Sequence, residues 1–235
     1  YPVRSWSAVT SSADGSRLVA FATDGLVLTS TDRGATWTQV QRNVAVSRVA
    51  ASADASHLVA GGYQTPLSLS SDQGLTWVDL YPARIWKTIA SSTDGSHIAL
   101  GAFFGPLYTS FDAGASWAEA FGTSAYASVA ISGDGSEILV AAETSFQLGQ
   151  EGWLAVFASH NPAGTLRGIG LTEPLGWSAV AASSDFDELI AAARGGNLYG
   201  SSDHGATWEL RSGGHYWNEI LSSADGATLI ARVDD

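Results

Sequence analysis

Carboxylates, guanidinium groups and a recurrent set of aromatic rings are the side chains here that could do chemistry. Glu143, Glu151 and Glu173 would serve as a glycosidase pair if two of them stood roughly 5–10 Å apart. Ser184-Asp185-Phe186-Asp187-Glu188 puts three carboxylates within four residues, enough to consider a cation, although a solvated acidic turn is the simpler reading. Trp6, Trp86, Tyr126, Trp177 and Trp217 each stand eight residues before an aspartate, at 14, 94, 134, 185 and 225. Such a column either packs the interior, as aromatics commonly do, or forms platforms for sugar faces or a peptide. In the second reading the ligand-binding set is these five rings with Arg4, Arg84, Gln64, Asn197 and Trp153.

Other chemistries are absent from the sequence. No Gly-rich phosphate loop, His-x-x-x-His pair or Gly-x-Ser-x-Gly elbow occurs. With no Cys there is no disulfide framework, thiolate metal site or cysteine nucleophile. The net charge of -12 argues against binding a nucleic-acid backbone or an anionic membrane. No apolar run approaches the roughly 18 residues needed to cross a bilayer. No cofactor and no metal are expected.

The elements that must position these groups are legible as a repeat. A turn of the type Ser-x-Asp-Gly-Ser carries aspartates at 14, 54, 94, 134, 185 and 225, in steps of 40, 40, 40, 51 and 40. A second motif, Ser-x-Asp-x-Gly-x-Thr-Trp, occurs at Ser30 to Trp37, Ser70 to Trp77, Ser110 to Trp117 (with Ser116 for Thr) and Ser201 to Trp208, with a worn copy at Ser159 to Leu166. Within each repeat, apolar runs bounded by Asp-Gly or Gly turns read as four short strands, a to d. In the first they span Trp6 to Thr10, Arg17 to Thr23, Leu26 to Ser30 and Thr36 to Gln41. The sequence therefore predicts an all-β propeller of about six four-stranded blades. It is expected to be one domain over 1-235, with repeats at about 6-45, 46-85, 86-125, 126-176, 177-216 and a partial 217-235. The sixth repeat stops after strand b, and about 17 further residues would complete a period of this length. Either the natural chain is longer, or the last blade is incomplete.

Because strands alternate direction, the a-b and c-d turns share one end of each blade, and the d-a and b-c loops share the other. Ten of the 23 carboxylates lie in the repeated turns, so much of the acidity follows from turn chemistry. The opposite end is irregular. It carries Tyr1 to Arg4, Tyr63-Gln64-Thr65, Tyr81 to Arg84, Phe103-Phe104-Gly105, Glu173 to Gly176, Arg194 to Asn197, Arg211 to Tyr216 and an insertion from Glu143 to Trp153. Loops that differ among repeats on a rigid scaffold are where sites are usually placed.

The Ser-x-Asp-x-Gly-x-Thr-Trp motif resembles the Asp-box, or BNR, repeat of sialidases, two-domain xyloglucanases, sortilin-type receptors, seven-bladed bacterial lectins and photosystem II assembly factors. The resemblance implies a structural role for Asp32, Asp72, Asp112 and Asp203, which agrees with the turn chemistry of Asp, Gly and Thr. A sialidase-like enzyme would also need an arginine triad and a Tyr-Glu nucleophile pair. Arg4, Arg48, Arg84 and Arg194 do not compose that triad in sequence, although Glu219 shares the repeat position of Arg48. A xyloglucanase of that family would need two propellers. The expectation is thus a non-catalytic, lectin-like propeller that binds carbohydrate through its irregular end. The alternatives are a protein-binding or assembly scaffold and a sialidase-like hydrolase. A secreted, periplasmic or organelle-lumen setting is favoured over the cytoplasm.

Overall fold

The computed structural model describes residues 4–41, 45–143, 152–158, 167–168 and 176–233. All regular elements among them are strands. The first sheet orders β1 (Trp6–Ser11), β2 (Leu18–Ala22), β3 (Leu26–Ser30) and β4 (Thr38–Gln41), antiparallel and consecutive. The second repeats this with β5 (Arg48–Ala51), β6 (Leu58–Gly61), β7 (Thr65–Ser70) and β8 (Val78–Arg84). A six-stranded sheet follows, of β9 (Trp86–Ser91), β10 (Ile98–Ser110), β11 (Ala118–Ile131), β12 (Glu137–Ala142), β13 (Trp153–Ala158) and β14 (Arg167–Gly168). Next come the sheet of β15 (Trp177–Ala182), β16 (Leu189–Ala193), β17 (Leu198–Ser201) and β18 (Glu209–Ser212), and the pair β19 (Trp217–Ser222) and β20 (Leu229–Val233).

In the first repeat the strands fall within a residue or two of the bounds read from the sequence, but the expected six blades do not stand as six separate sheets. Among the described residues, four sheets hold four or more strands and β19 and β20 form a pair. The difference lies in the long strand β11, which pairs on one side with β10. Residues 98–102 of β10 pair with β9, whereas Phe103 to Thr109 pair with the first half of β11. The second half of β11 pairs with β12 from Tyr126↔Ala142 to Ile131↔Ile138. β11 stays in strand where the repeat predicts the d-a loop, so two units share one sheet.

The innermost strands touch in succession: β1 with β5, β5 with β9, β9 with β11, β11 with β15 and β15 with β19. The a-b turns are tied in the same order by backbone hydrogen bonds. Ala13 N donates to Ala53 O (2.7 Å), Ala53 N to Thr93 O (2.7 Å), Thr93 N to Gly133 O (2.8 Å), Gly133 N to Ser184 O (2.6 Å) and Ser184 N to Ala224 O (2.8 Å). This propeller-like arrangement puts the core between neighbouring sheets. Val19, Phe21 and Val27 of the first sheet pack with Val46, Leu58 and Ala60. Strands b and c are central in their sheets and covered on both faces, which is why β3, β6 and β16 are buried along their length and read as continuous apolar runs. Outer strands such as β18 are exposed throughout.

The Ser-x-Asp-x-Gly-x-Thr-Trp turns contribute to how these sheets stay docked. In the first, Asp32 accepts from Thr36 N (2.8 Å), Thr36 Oγ1 (2.5 Å) and Ser30 Oγ (2.8 Å). Trp37 Nε1 donates to Gly34 O at 3.0 Å, and Gly34 has φ 83°, which a side chain would strain. The same bonds recur at Asp72, Asp112 (with Ser116) and Asp203. The box tryptophan packs back onto the preceding sheet: Trp77 meets Phe21 edge-on at 5.8 Å, and Trp117 meets Tyr81 at 6.1 Å. The worn copy at 159–166 lies outside the described residues.

These bonds have a pH consequence. The Thr36 hydroxyl holds Asp32 at about 2, and that of Thr207 does the same for Asp203. The Ser52, Ser92 and Ser132 hydroxyls lower Asp54, Asp94 and Asp134 to about 2. An unfolded aspartate titrates near ~3.9. Depressed native values therefore contribute stability that is complete above pH ~4 and lost as pH falls through about 2. Thermal unfolding across pH should show a plateau from 7 to 5 and a steep fall between 4 and 2; a Tm unchanged down to pH 2.5 would contradict this assignment.

Candidate functional site

The irregular end gathers the connections that differ between repeats, and its geometry begins with two kinds of b-c turn. In the first and fifth repeats the turn uses Gly25 (φ 83°) and Gly196 (φ 103°). In the second and third, the positive φ falls one position earlier relative to the Asp-box serine, on Gln64 (52°) and Phe104 (50°). Left-handed non-glycine residues also stand in the regular turns, at Arg33, Ala55, Gln73, Ala113, Phe186 and His204, so the conformation is not confined to this end. At Gln64 and Phe104 it lies beside exposed rings. Tyr63 is 68% exposed, and Phe103 is exposed beside Phe104 with ring centroids 4.1 Å apart.

The sequence-derived ligand set divides in two. Trp86 is 2% exposed, with Tyr126 and Trp177 equally buried. Trp86 Nε1 donates to Thr65 O at 3.1 Å, and its ring meets Tyr81 and Tyr108 edge-on at 6.1 and 6.0 Å. Trp177 contacts Tyr199 at 5.9 Å, and half-buried Trp153 lies against Phe121 and Tyr126. These rings pack between sheets. Trp6, by contrast, is 47% exposed, and Trp217 is half-buried, with Nε1 on Gly196 O at 3.2 Å and its ring 5.2 Å from His215. Arg4 pairs with Asp24, exposed Arg84 donates to Tyr108 Oη at 3.2 Å, and Asn197 Nδ2 donates to Tyr199 Oη at 3.1 Å. Gln64 is exposed at its turn.

Three exposed rings at this end, Tyr63, Phe103 and Tyr216, stand in loops the sequence reading singled out but outside its ligand set. Within the eight-residue aromatic column, Trp86, Tyr126 and Trp177 lie beneath the loops, whereas Trp6 remains exposed. Tyr63 and Phe103 stand beside turns that carry a side chain where the first and fifth repeats use glycine. Of the carboxylates weighed for catalysis, Glu143 has both oxygens engaged, Oε1 by Lys87 Nζ (3.3 Å) and Oε2 by Arg194 Nη1 (3.0 Å). Glu151 and Glu173 lie outside the described residues, as do Phe146, Gln147 and Gln150. In the acidic turn, Asp185 accepts from Ser183 Oγ (2.6 Å) and Asp187 N (3.1 Å), and Asp187 meets His204 Nε2 at 3.1 Å. An apolar cavity of about 300 Å³ opens away from this end, between the second and third sheets, lined by Leu58, Val59, Leu69, Val78, Leu80 and Ile98 beside the Asp-box glycine Gly114.

No family model and no curated protein matches the chain. Among solved structures it is similar to a GH74 enzyme of Niastella koreensis, at 17% identity and TM-score 0.75, over 96% of this chain and 43% of that one. It is similar to the GH74 xyloglucanase from Xanthomonas campestris at 18% identity and TM-score 0.74, over 97% and 43%. The propeller domain of Cps50 (Swd1) from Myceliophteria thermophila matches at 16% identity and TM-score 0.69, over 97% and 80%. The chain thus spans less than half the length of the two GH74 structures. What a likeness at these identities shows is the fold, a β-propeller.

Proposed function

We propose that this chain is a non-catalytic, lectin-like binding propeller of the Asp-box type that takes carbohydrate on its irregular end. The observation that carries it is the exposure of Tyr63 and Phe103 beside the Gln64 and Phe104 turns, with exposed Trp6 and Tyr216 at the same end. Rings with exposed faces and polar neighbours such as Gln64 and Arg84 suit sugars, whose C-H faces stack on aromatics while hydroxyls seek hydrogen bonds. Asp32, Asp72, Asp112 and Asp203 serve as structural turn residues. In the same proposal the six-stranded sheet comprises the third and fourth repeats, so the blade number is about six. A secreted, periplasmic or lumenal setting goes with a carbohydrate ligand. A hydrolase reading draws no support from Glu143, which two cations hold on both oxygens.

The test is a glycan array probed with labelled protein, followed by titration of the best ligand. Tyr63→Ala and Phe103→Ala are expected to weaken binding about tenfold each, ~1.4 kcal/mol, without changing Tm by more than a few degrees. Unchanged binding in the double variant would sink the reading, and selective capture of a protein partner with a silent array would replace it by the scaffold reading.

A further inference from the structure

We infer that the centre of the irregular end is an anion-binding site, formed by Lys87 and Arg194 on Glu143 with Arg48 held on the Lys87 backbone, which takes the acidic group of a carboxylated or sulfated sugar. This rests on the carbohydrate reading and narrows its ligand class. The four residues come from successive parts of the ring. Arg48 and Lys87 lie near the starts of the inner strands β5 and β9, and Glu143 and Arg194 follow directly on β12 and β16.

The charge balance of this group points to a ligand. Glu143, whose side chain is 15% exposed, is bound by both Lys87 and Arg194, so one carboxylate faces two cations. Arg48 adds a third. Its Nε donates to Lys87 O at 2.8 Å and its Nη1 to Ser47 O at 2.8 Å, and among the described residues no carboxylate lies within ion-pair distance of it. Two carbonyls therefore hold the guanidinium in place without neutralising it, leaving three of its five N-H donors for a partner. A pre-positioned arginine is the side chain best matched to a planar carboxylate or a sulfate oxygen pair.

The net charge of -12 does not prevent this. The repeated turn aspartates lie at the opposite ends of strands of about five or six residues, roughly 16–20 Å away at ~3.3 Å per residue. That is about two Debye lengths at physiological salt, so their repulsion is largely screened, while a contacting ligand meets the local positive excess. An acidic peptide would see the same charge. The sugar is favoured because the neighbouring exposed surface is aromatic and bears hydroxyl and amide groups, with Tyr63, Gln64 and Phe103 on adjacent repeats.

The test titrates the full chain with four probes of similar size: an oligogalacturonate, a sulfated oligosaccharide, a neutral xyloglucan oligosaccharide and an oligoglutamate. An acidic sugar should bind at least tenfold more tightly than the neutral one at low salt, with affinity falling as salt rises. The comparison of oligogalacturonate with the sulfated probe tells which acidic group is preferred. Arg48→Gln and Arg194→Gln should each lower that affinity about tenfold, with Arg33→Gln at the opposite end leaving it unchanged. Equal binding of acidic and neutral sugars, with loss in Tyr63→Ala only, overturns the anion site and leaves the carbohydrate reading standing. Preference for oligoglutamate over every sugar overturns the assigned ligand class. Full acidic-sugar affinity in Arg48→Gln and Arg194→Gln, accompanied by a lowered Tm, would make the cluster a structural brace and end the proposal.

Discussion

Replacing Trp86 with alanine is expected to lower the unfolding free energy by ~3–5 kcal/mol, the range for deleting a large buried aromatic. The indole is 2% exposed, fills the space between the second and third sheets, and satisfies its N-H on Thr65 O. Gly61 is what admits it: a Cβ there would stand 2.8 Å from Trp86 Cδ1. Removing the ring leaves Tyr81 and Tyr108 facing a void that the paired strands around them cannot close. For a chain of this length each kcal/mol moves Tm by ~2–4 °C, so a fall of ~6–20 °C should appear in thermal unfolding. Trp6→Ala, at a site already half in water, should cost much less. A Trp86→Ala protein that kept its Tm but lost ligand binding would support the sugar-platform role the sequence suggested and contradict this packing role.

Gly101→Ala is expected to destabilise by ~1–3 kcal/mol through overpacking. A methyl there would stand 2.7 Å from Tyr126 Cβ, 3.0 Å from Thr88 Cγ2 and 3.2 Å from Tyr126 Cγ. Neither neighbour can yield readily. Tyr126 is buried with its hydroxyl donating to Gly122 O at 2.6 Å, and Thr88 Oγ1 accepts from Val129 N at 2.9 Å, a bond between neighbouring inner strands. Gly122→Ala is the control, since its added Cβ meets nothing within 4 Å, and its Tm should stay within a degree or two of the parent. Equal Tm values for the two variants would show that the sheets slide apart more easily than this packing implies.

Both predictions depend on depth, which the one-dimensional pattern could not supply. Trp6 and Trp86 occupy the same repeat position with the same residue type, yet one is 47% and the other 2% exposed. Trp86 has the second sheet to lie against through β5 and β6, whereas the main neighbour of β1 outside its own sheet is β5 of the following one. Exposure is thus a property of the neighbour, not of the position. The same reasoning applies to Glu143, whose partners Lys87 and Arg194 lie 56 and 51 residues away and meet it only when successive repeats are wound together.

What the sequence determined was the repeat: the forty-residue period, the strands of the first unit and the hydrogen-bonded geometry of the Ser-x-Asp-x-Gly-x-Thr-Trp turns. All of these rest on interactions between residues a few positions apart, such as Ser30, Asp32 and Thr36, so local chemistry suffices to specify them. What only the tertiary structure decided was which rings are core and which are surface, how the third and fourth repeats merge through β11, and which cations share Glu143. Those outcomes depend on contacts between repeats, and a periodic sequence says almost the same thing at every repeat while the winding of the chain makes each repeat's surroundings different.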